Sequence, residues 1–187
     1  MSGTGTNYTL VLNTSNGALI RAGAACVTPV SGLTSTVTWN STSGSPAVLA
    51  PAIPGRACFL TQITSAVSSS SGESFASGND QVGVEIQNNQ WVLTGSTQHG
   101  RIDAAARCLN VSSPNPYAGT QSGSGFGSFN MDLMTPAHSG ACFLTKIKGA
   151  FLSNTDPVDG IQNIVTSGGQ WSMELKNNKS GWATCVK

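Results

Sequence analysis

Charge is the first thing this 187-residue chain lacks. Lys, Arg, Asp and Glu together make up 9% of it, against about 25% in ordinary soluble domains, and the formal net charge is +1. Its basic residues are scattered, Lys146 and Lys148 being the densest pair. Such a chain carries no electrostatic footprint for nucleic acid or an anionic membrane surface. Histidine is scarce too: His99 and His138 are the only two, and no Cys-x-x-Cys occurs, so no metal site is expected. No apolar stretch approaches the roughly 18 residues of a membrane span. The opening Met1-Ser-Gly-Thr-Gly-Thr-Asn-Tyr8 has neither the basic nor the apolar region of a secretory leader, which predicts synthesis in the cytoplasm. Helical 3.6-residue periodicity is missing, and no glycine-rich phosphate loop ending in Lys-Ser/Thr is present, so no nucleotide or other cofactor is expected.

Small polar residues stand where charge would be. Ser and Thr supply about a quarter of the chain and Gly 22 positions, so hydroxyls and amides solvate the surface, as in extracellular β proteins, lectins and virion shells. A hydrophobic content of 39% keeps the chain out of the disordered class.

The organising feature is a repeat. Ala57-Cys58-Phe59-Leu60-Thr61 recurs as Ala141-Cys142-Phe143-Leu144-Thr145, each followed by one polar residue and an isoleucine, Ile63 or Ile147. Downstream of each comes a Gln-Trp pair, Gln90-Trp91 and Gln170-Trp171, then a hairpin closing on Cys108 or Cys185. A third hairpin of the same kind runs from Tyr8 to Cys26. The aromatic-to-glycine spacing is 9, 9 and 10 for Tyr8–Gly17, Trp91–Gly100 and Trp171–Gly181, which predicts tight turns with positive φ at these glycines. Cysteines at 26, 58, 108, 142 and 185 are separated by 32, 50, 34 and 43 residues. That long–short alternation fits duplication of a module of about 80 residues, too long for a solenoid repeat. The expected organisation is an N-terminal hairpin segment over 1–26, a first β repeat over 27–108 and a second over 109–187, the repeats packing as separate units or as one domain.

Within the ACFLT strands, a strict period of two puts Phe59, Thr61 and Ile63 on one face and Cys58, Leu60 and Gln62 on the other. Phe59, Ile63, Phe143 and Ile147 are expected in the core, with Leu60 and Leu144 if both faces are covered. Ile102–Leu109 reads as a return strand. The Ser/Gly/Pro-rich stretches Ser68–Asp80 and Ser112–Ser128 read as loops. The fold class is all-β: duplicated antiparallel sandwich or barrel-like modules built from hairpins.

The cysteines form two classes, one on each ACFLT strand and one closing each hairpin. If the classes are neighbours, one register pairs Cys58 with Cys108 and Cys142 with Cys185, leaving Cys26. The other pairs Cys26 with Cys58 and Cys108 with Cys142, leaving Cys185. All five could equally be small buried hydrophobes in a reducing compartment.

No catalytic constellation emerges. Both histidines fall in turn or loop contexts. Asp80, Asp156 and Asp159 sit beside Asn, Pro or Gly, where turn chemistry explains them. The remaining carboxylates, Glu73, Glu85, Asp103, Asp132 and Glu174, show no spacing that pairs them for glycoside hydrolysis. The binding signal is aromatic. Trp39, Trp91, Trp171, Trp182 and Tyr117 are candidates for stacking on a sugar ring, although a Trp recurring at one strand position is also what a duplicated core requires.

The Ser/Thr/Gly/Asn richness, low charge, tandem hairpins and plain Met-Ser-Gly-Thr-Gly-Thr-Asn-Tyr-Thr start resemble bacteriophage virion proteins of the tail-fibre, receptor-binding-tip or capsid-decoration type. That resemblance implies a homo-oligomer, often a trimer, made in the host cytoplasm for the virion. It implies action by binding other virion proteins or a cell-surface receptor rather than by catalysis. A secreted carbohydrate-binding lectin with duplicated Trp sites is the alternative, and a glycan hydrolase the third reading.

Overall fold

Short runs of β-branched and aromatic residues broken by Gly, Ser and Asn favour strands with tight connections, and strands are what form. The computed structural model describes residues 31–66, 75, 77–98, 100–111, 114–120, 126–130, 140–150, 161–166, 168–176 and 178–186. The N-terminal hairpin with Cys26, the two histidines, and Glu73, Asp132, Asp156 and Asp159 lie outside these residues. Among the described residues twelve strands follow in order: β1 Val37–Asn40, β2 Ala47–Pro51, β3 Arg56–Ala66, β4 Gln81–Gln87, β5 Gln90–Ser96, β6 Arg101–Asn110, β7 Asn115–Thr120, β8 Phe126–Asn130, β9 Ala141–Lys148, β10 Ile161–Val165, β11 Trp171–Lys176 and β12 Ser180–Val186. Every pairing between them is antiparallel.

The two ACFLT copies generate the same local topology. In the first repeat β6 lies between β1 and β3, and β5 between β2 and β4. In the second β12 lies between β7 and β9, and β11 between β8 and β10. Each strand of the first repeat thus corresponds to the strand six places later. The repeats are joined by an edge-to-edge ladder of β4 with β9, where Val82 opposes Ile147 and Gly83 opposes Lys146. This creates a six-stranded central sheet of order β2-β5-β4-β9-β12-β7, flanked by the three-stranded sheets β1-β6-β3 and β10-β11-β8. None of the three closes on itself as a barrel.

Two of the cores follow from this layering. The larger gathers Trp39, Leu93, Val82, Ile102 and Cys108 from the first repeat and reaches Ile147 of the second. The other holds Cys142, Met173, Leu175 and Cys185. Leu144 and Ile161 pack against both, so the two cores are contiguous. A third cluster joins Ala57, Leu109 and Val111 to Val186, with Phe59 and Phe143 packed against it.

The ladders select the first cysteine register. Cys58 is directly opposite Cys108 on β3 and β6, and Cys142 opposite Cys185 on β9 and β12. Each pair forms a disulfide, with Cα atoms 4.0 and 3.9 Å apart. Such close approach belongs to the non-hydrogen-bonded positions of an antiparallel ladder.

Three expectations require correction. First, strict alternation along ACFLT fails, because each copy is interrupted by a β-bulge at the same residue. The pairing of β3 with β6 runs from Leu60–Ala106 to Gln62–Ala105, passing over Thr61. That of β9 with β12 runs from Leu144–Ala183 to Lys146–Trp182, passing over Thr145. An extra residue resets the pleat, so Ile63 joins Cys58 and Leu60 on the large core while Phe59 turns to the third cluster. Second, Ser112–Ser128 is not all loop: β7 and the start of β8 lie within it. Third, Gly181 makes no turn. It is in β12, and Asn178 carries the positive φ of that hairpin, at 57°. What Gly181 provides is space, since a Cβ there would stand 2.8 Å from Met173 Sδ and 2.9 Å from Leu175 Cδ2. Gly100 does have the expected positive φ, 69°.

Candidate functional site

The sequence candidates separate by burial. Trp39 is 6% exposed and donates its indole N–H to the Ser45 carbonyl at 3.1 Å. Trp171 is 9% exposed and donates to the Gly140 carbonyl at 3.2 Å. A buried Trp with its one donor satisfied is a core residue, although Trp39 also borders a surface hollow. Trp91 is half-buried against the large core, opposite Ile86 and Ala50. Tyr117 occupies β7 opposite Ala183. The recurring Gln-Trp pairs thus differ in setting, Trp171 being buried and Trp91 half-buried.

Trp182 differs. It pairs with Lys146 across β12 and β9, on the face of the central sheet opposite to Cys185 and Ala183, and remains partly exposed. Alternation places Lys146, Trp182 and Glu85 on this outer face. Gly83, directly opposite Lys146, lets that side chain lie flat, for a Cβ on Gly83 would come within 2.5 Å of Lys146 Cβ. The Lys146 ammonium stands 5.2 Å from the Trp182 ring centroid and 4.0 Å from Glu85 Oε2. Gln87 Nε2 donates to Glu85 Oε1 at 2.6 Å. The result is a row of aromatic ring, ammonium, carboxylate and amide. The ring offers an apolar plane held by a cation–π contact, and the polar groups beside it can exchange hydrogen bonds with hydroxyls.

The first repeat presents a different surface at the corresponding place. The ladders align Ala105 with Trp182 and Gln62 with Lys146. With only a methyl at Ala105, a hollow of about 240 Å³ opens, bordered by Thr38, Trp39, Asn40, Gln62, Arg101 and Asp103. Arg101 and Asp103 are ion-paired at 2.8 Å. One repeat thus carries a plate and the other a polar hollow.

The described carboxylates have local partners. Asp80, wholly buried, accepts the backbone N–H of Ser77 at 3.0 Å and of Gln98 at 2.8 Å, while its own carbonyl accepts from Gly149. It ties three turns together, as its turn-forming context predicted. Asp103 is paired with Arg101, and Glu85 faces Lys146 and Gln87. Among the described residues no group of three His, Cys, Asp or Glu side chains is placed to hold a metal ion.

Sequence reasoning missed the Trp182–Lys146–Glu85 row. It is assembled across strands from positions 85, 146 and 182, and only the ladder registers bring them together. No family model, curated protein or solved structure matches the chain.

Proposed function

We propose that this chain is a non-enzymatic structural or attachment protein of a virion, acting by binding neighbouring proteins or a cell-surface receptor. The observation that carries the reading is the pair of buried cross-strand disulfides, one per repeat, in a chain of which only 9% is charged. Disulfides persist on virion and cell surfaces and in secreted proteins, whereas the cytosol keeps thiols reduced. In this reading the chain is made in the host cytoplasm and its cysteines pair once particles are outside. The duplicated sandwich then serves as a rigid scaffold for exposed faces and loops. The test is fractionation of particles from the source of the chain, followed by peptide mass spectrometry under alkylating, non-reducing conditions. Presence of the chain in intact particles with Cys58–Cys108 and Cys142–Cys185 linked supports the proposal. Its absence from particles, or reduced cysteines within them, refutes it.

The lectin reading is favoured by one observation, the Trp182–Lys146–Glu85 row, and is confined to it. A glycan array with purified protein tests it. Saturable binding to a defined sugar, lost in Trp182→Ala, supports a carbohydrate site there. Binding that survives this substitution, or no binding to any glycan, removes it.

A further inference from the structure

The hollow of the first repeat is built by three adjacent strands. Across β1, β6 and β3 the registers align Thr38, Ala105 and Gln62 in one row, and Asn40, Asp103 and Thr64 in the next. Alternation puts both rows on the face of this sheet away from the large core. Arg101, two residues before Asp103, stands on the same face at one end of the hollow. Ala105 carries the shortest side chain of the two rows, so its methyl is the floor and the polar groups are the rim.

The rim is held in place by its own hydrogen bonds. Asn40 Oδ1 accepts from the backbone N–H of Thr42 at 3.0 Å and from the Thr42 hydroxyl at 2.6 Å. Gln62 Nε2 donates to Thr64 Oγ1 at 3.2 Å. Asp103 Oδ1 receives Arg101 Nε at 2.9 Å and Nη2 at 2.8 Å. Each of these bonds uses one end of a two-ended group. The other ends are the Asn40 amide N–H donors, the Gln62 carbonyl oxygen and Asp103 Oδ2, and the Thr38 hydroxyl both donates and accepts. Groups fixed in this way lose little freedom when they bind.

Charge and size narrow the ligand. Arg101 and Asp103 are the charged residues of the lining and cancel each other, so the hollow selects neither an anion nor a cation. Its volume of about 240 Å³ lies below the roughly 300–1,000 Å³ of drug-sized sites, which suits one ring rather than a chain of them. Donors and acceptors surround a methyl floor at the spacing of neighbouring strands, about 4.5–5.5 Å. A partner for them must donate and accept on several sides while showing C–H groups to the floor. We propose that this hollow binds a single uncharged sugar ring, its hydroxyls exchanging hydrogen bonds with Thr38, Asn40, Gln62 and Asp103. In the second repeat Trp182 stands in place of Ala105 and Lys146 in place of Gln62. The site is separate from the Trp182 row, and it rests neither on a glycan binding there nor on the virion reading.

The test follows the side-chain amide and indole N–H signals of the isotope-labelled full chain by NMR as free glucose, galactose or N-acetylglucosamine is added. Glucuronate and glucosamine serve as charged comparators. Expected is a saturable, millimolar shift of the Asn40 and Gln62 amide signals with at least one uncharged sugar, and weaker binding of both charged ones. Gln62→Ala changes an exposed residue and should fold as the parent. It should weaken binding, read at Asn40, about five- to tenfold, the loss of one hydrogen bond. Ala105→Trp fills the hollow as the second repeat does, and should abolish the shift at Asn40. No saturable shift with any uncharged sugar, unchanged affinity in Gln62→Ala, or tighter binding of a charged comparator overturns the proposal. Shifts confined to the Trp182 indole overturn it too, and assign sugar binding to the row alone.

Discussion

Phe59 of the first repeat stacks on Phe143 of the second, with ring centroids 4.5 Å apart and planes 23° from parallel. They are the same residue of the duplicated pentapeptide, and equivalent residues meeting through equivalent faces is the signature of an isologous contact. The stack fastens β3 to β9 on the face away from the disulfides.

Removing either ring should therefore weaken the association of repeats as well as local packing. Phe59→Ala and Phe143→Ala are each expected to cost about 2–3 kcal/mol, below the 3–5 of a fully buried Phe because both are partly exposed. A double-mutant cycle in urea should give a coupling of about 0.5–1.5 kcal/mol. Additivity within error would show that the stack contributes no energy of its own.

The disulfides cross-link residues 50 and 43 positions apart. In the chain-entropy model each is worth about 4 kcal/mol. Cys58→Ala with Cys108→Ala should lower the unfolding free energy by about that amount, as should the corresponding pair in the second repeat. Equal midpoints of chemical denaturation with and without reductant would contradict this.

Gly181 corresponds to Ala104 of the first repeat, which accommodates its methyl. Gly181→Ala should nonetheless cost about 1–3 kcal/mol, because Met173, Leu175 and Ile161 already occupy the space. Thermal unfolding checks it, and an unchanged midpoint would mean that these side chains move aside freely.

Asp80→Ala removes the buried carboxylate that accepts from the backbone N–H groups of Ser77 and Gln98. A loss of about 2–4 kcal/mol is expected, with faster amide exchange at both positions. Asp80→Asn retains one acceptor oxygen and should fall between.

Trp182→Ala and Trp39→Ala should separate cleanly. The first repeat carries Ala105 where the second has Trp182, so the fold already tolerates a methyl there and the variant should unfold near the parent. Trp39→Ala opens the large core and should cost about 3–5 kcal/mol. Comparable destabilisation by both would assign Trp182 to packing.

Strands with strong local signals were legible in the sequence. The ACFLT runs, the return strand through Ile102–Leu109 and the two cysteine classes announce themselves through apolar content and spacing. The bulges did not, because Cys-Phe-Leu-Thr-Gln-Ile fits uninterrupted alternation and only the partner strand reveals that Thr61 has none. β7 and the start of β8 were read as loop for a different reason. Among the described strands each has a single hydrogen-bonded neighbour, β12 and β11 respectively, and an edge strand tolerates residues that a central one excludes, such as Pro116. The Gln87-Asn88-Asn89-Gln90 turn was available but unused: both asparagines have positive φ, 50° and 60°, as a two-residue hairpin demands. The Trp182–Lys146–Glu85 row could not be read without register, since its members are separated by dozens of residues along the chain.

Both covalent cross-links lie inside a repeat, and only the short connection from Asn110 at the end of β6 to Asn115 at the start of β7 carries the chain from one to the other. The β4–β9 ladder and the Phe59–Phe143 stack cross the boundary without any help from it. The gene could thus be divided at that connection. Two polypeptides made separately would still carry the strands of that ladder and the rings of that stack, and co-expressed halves of this kind are expected to assemble as a heterodimer.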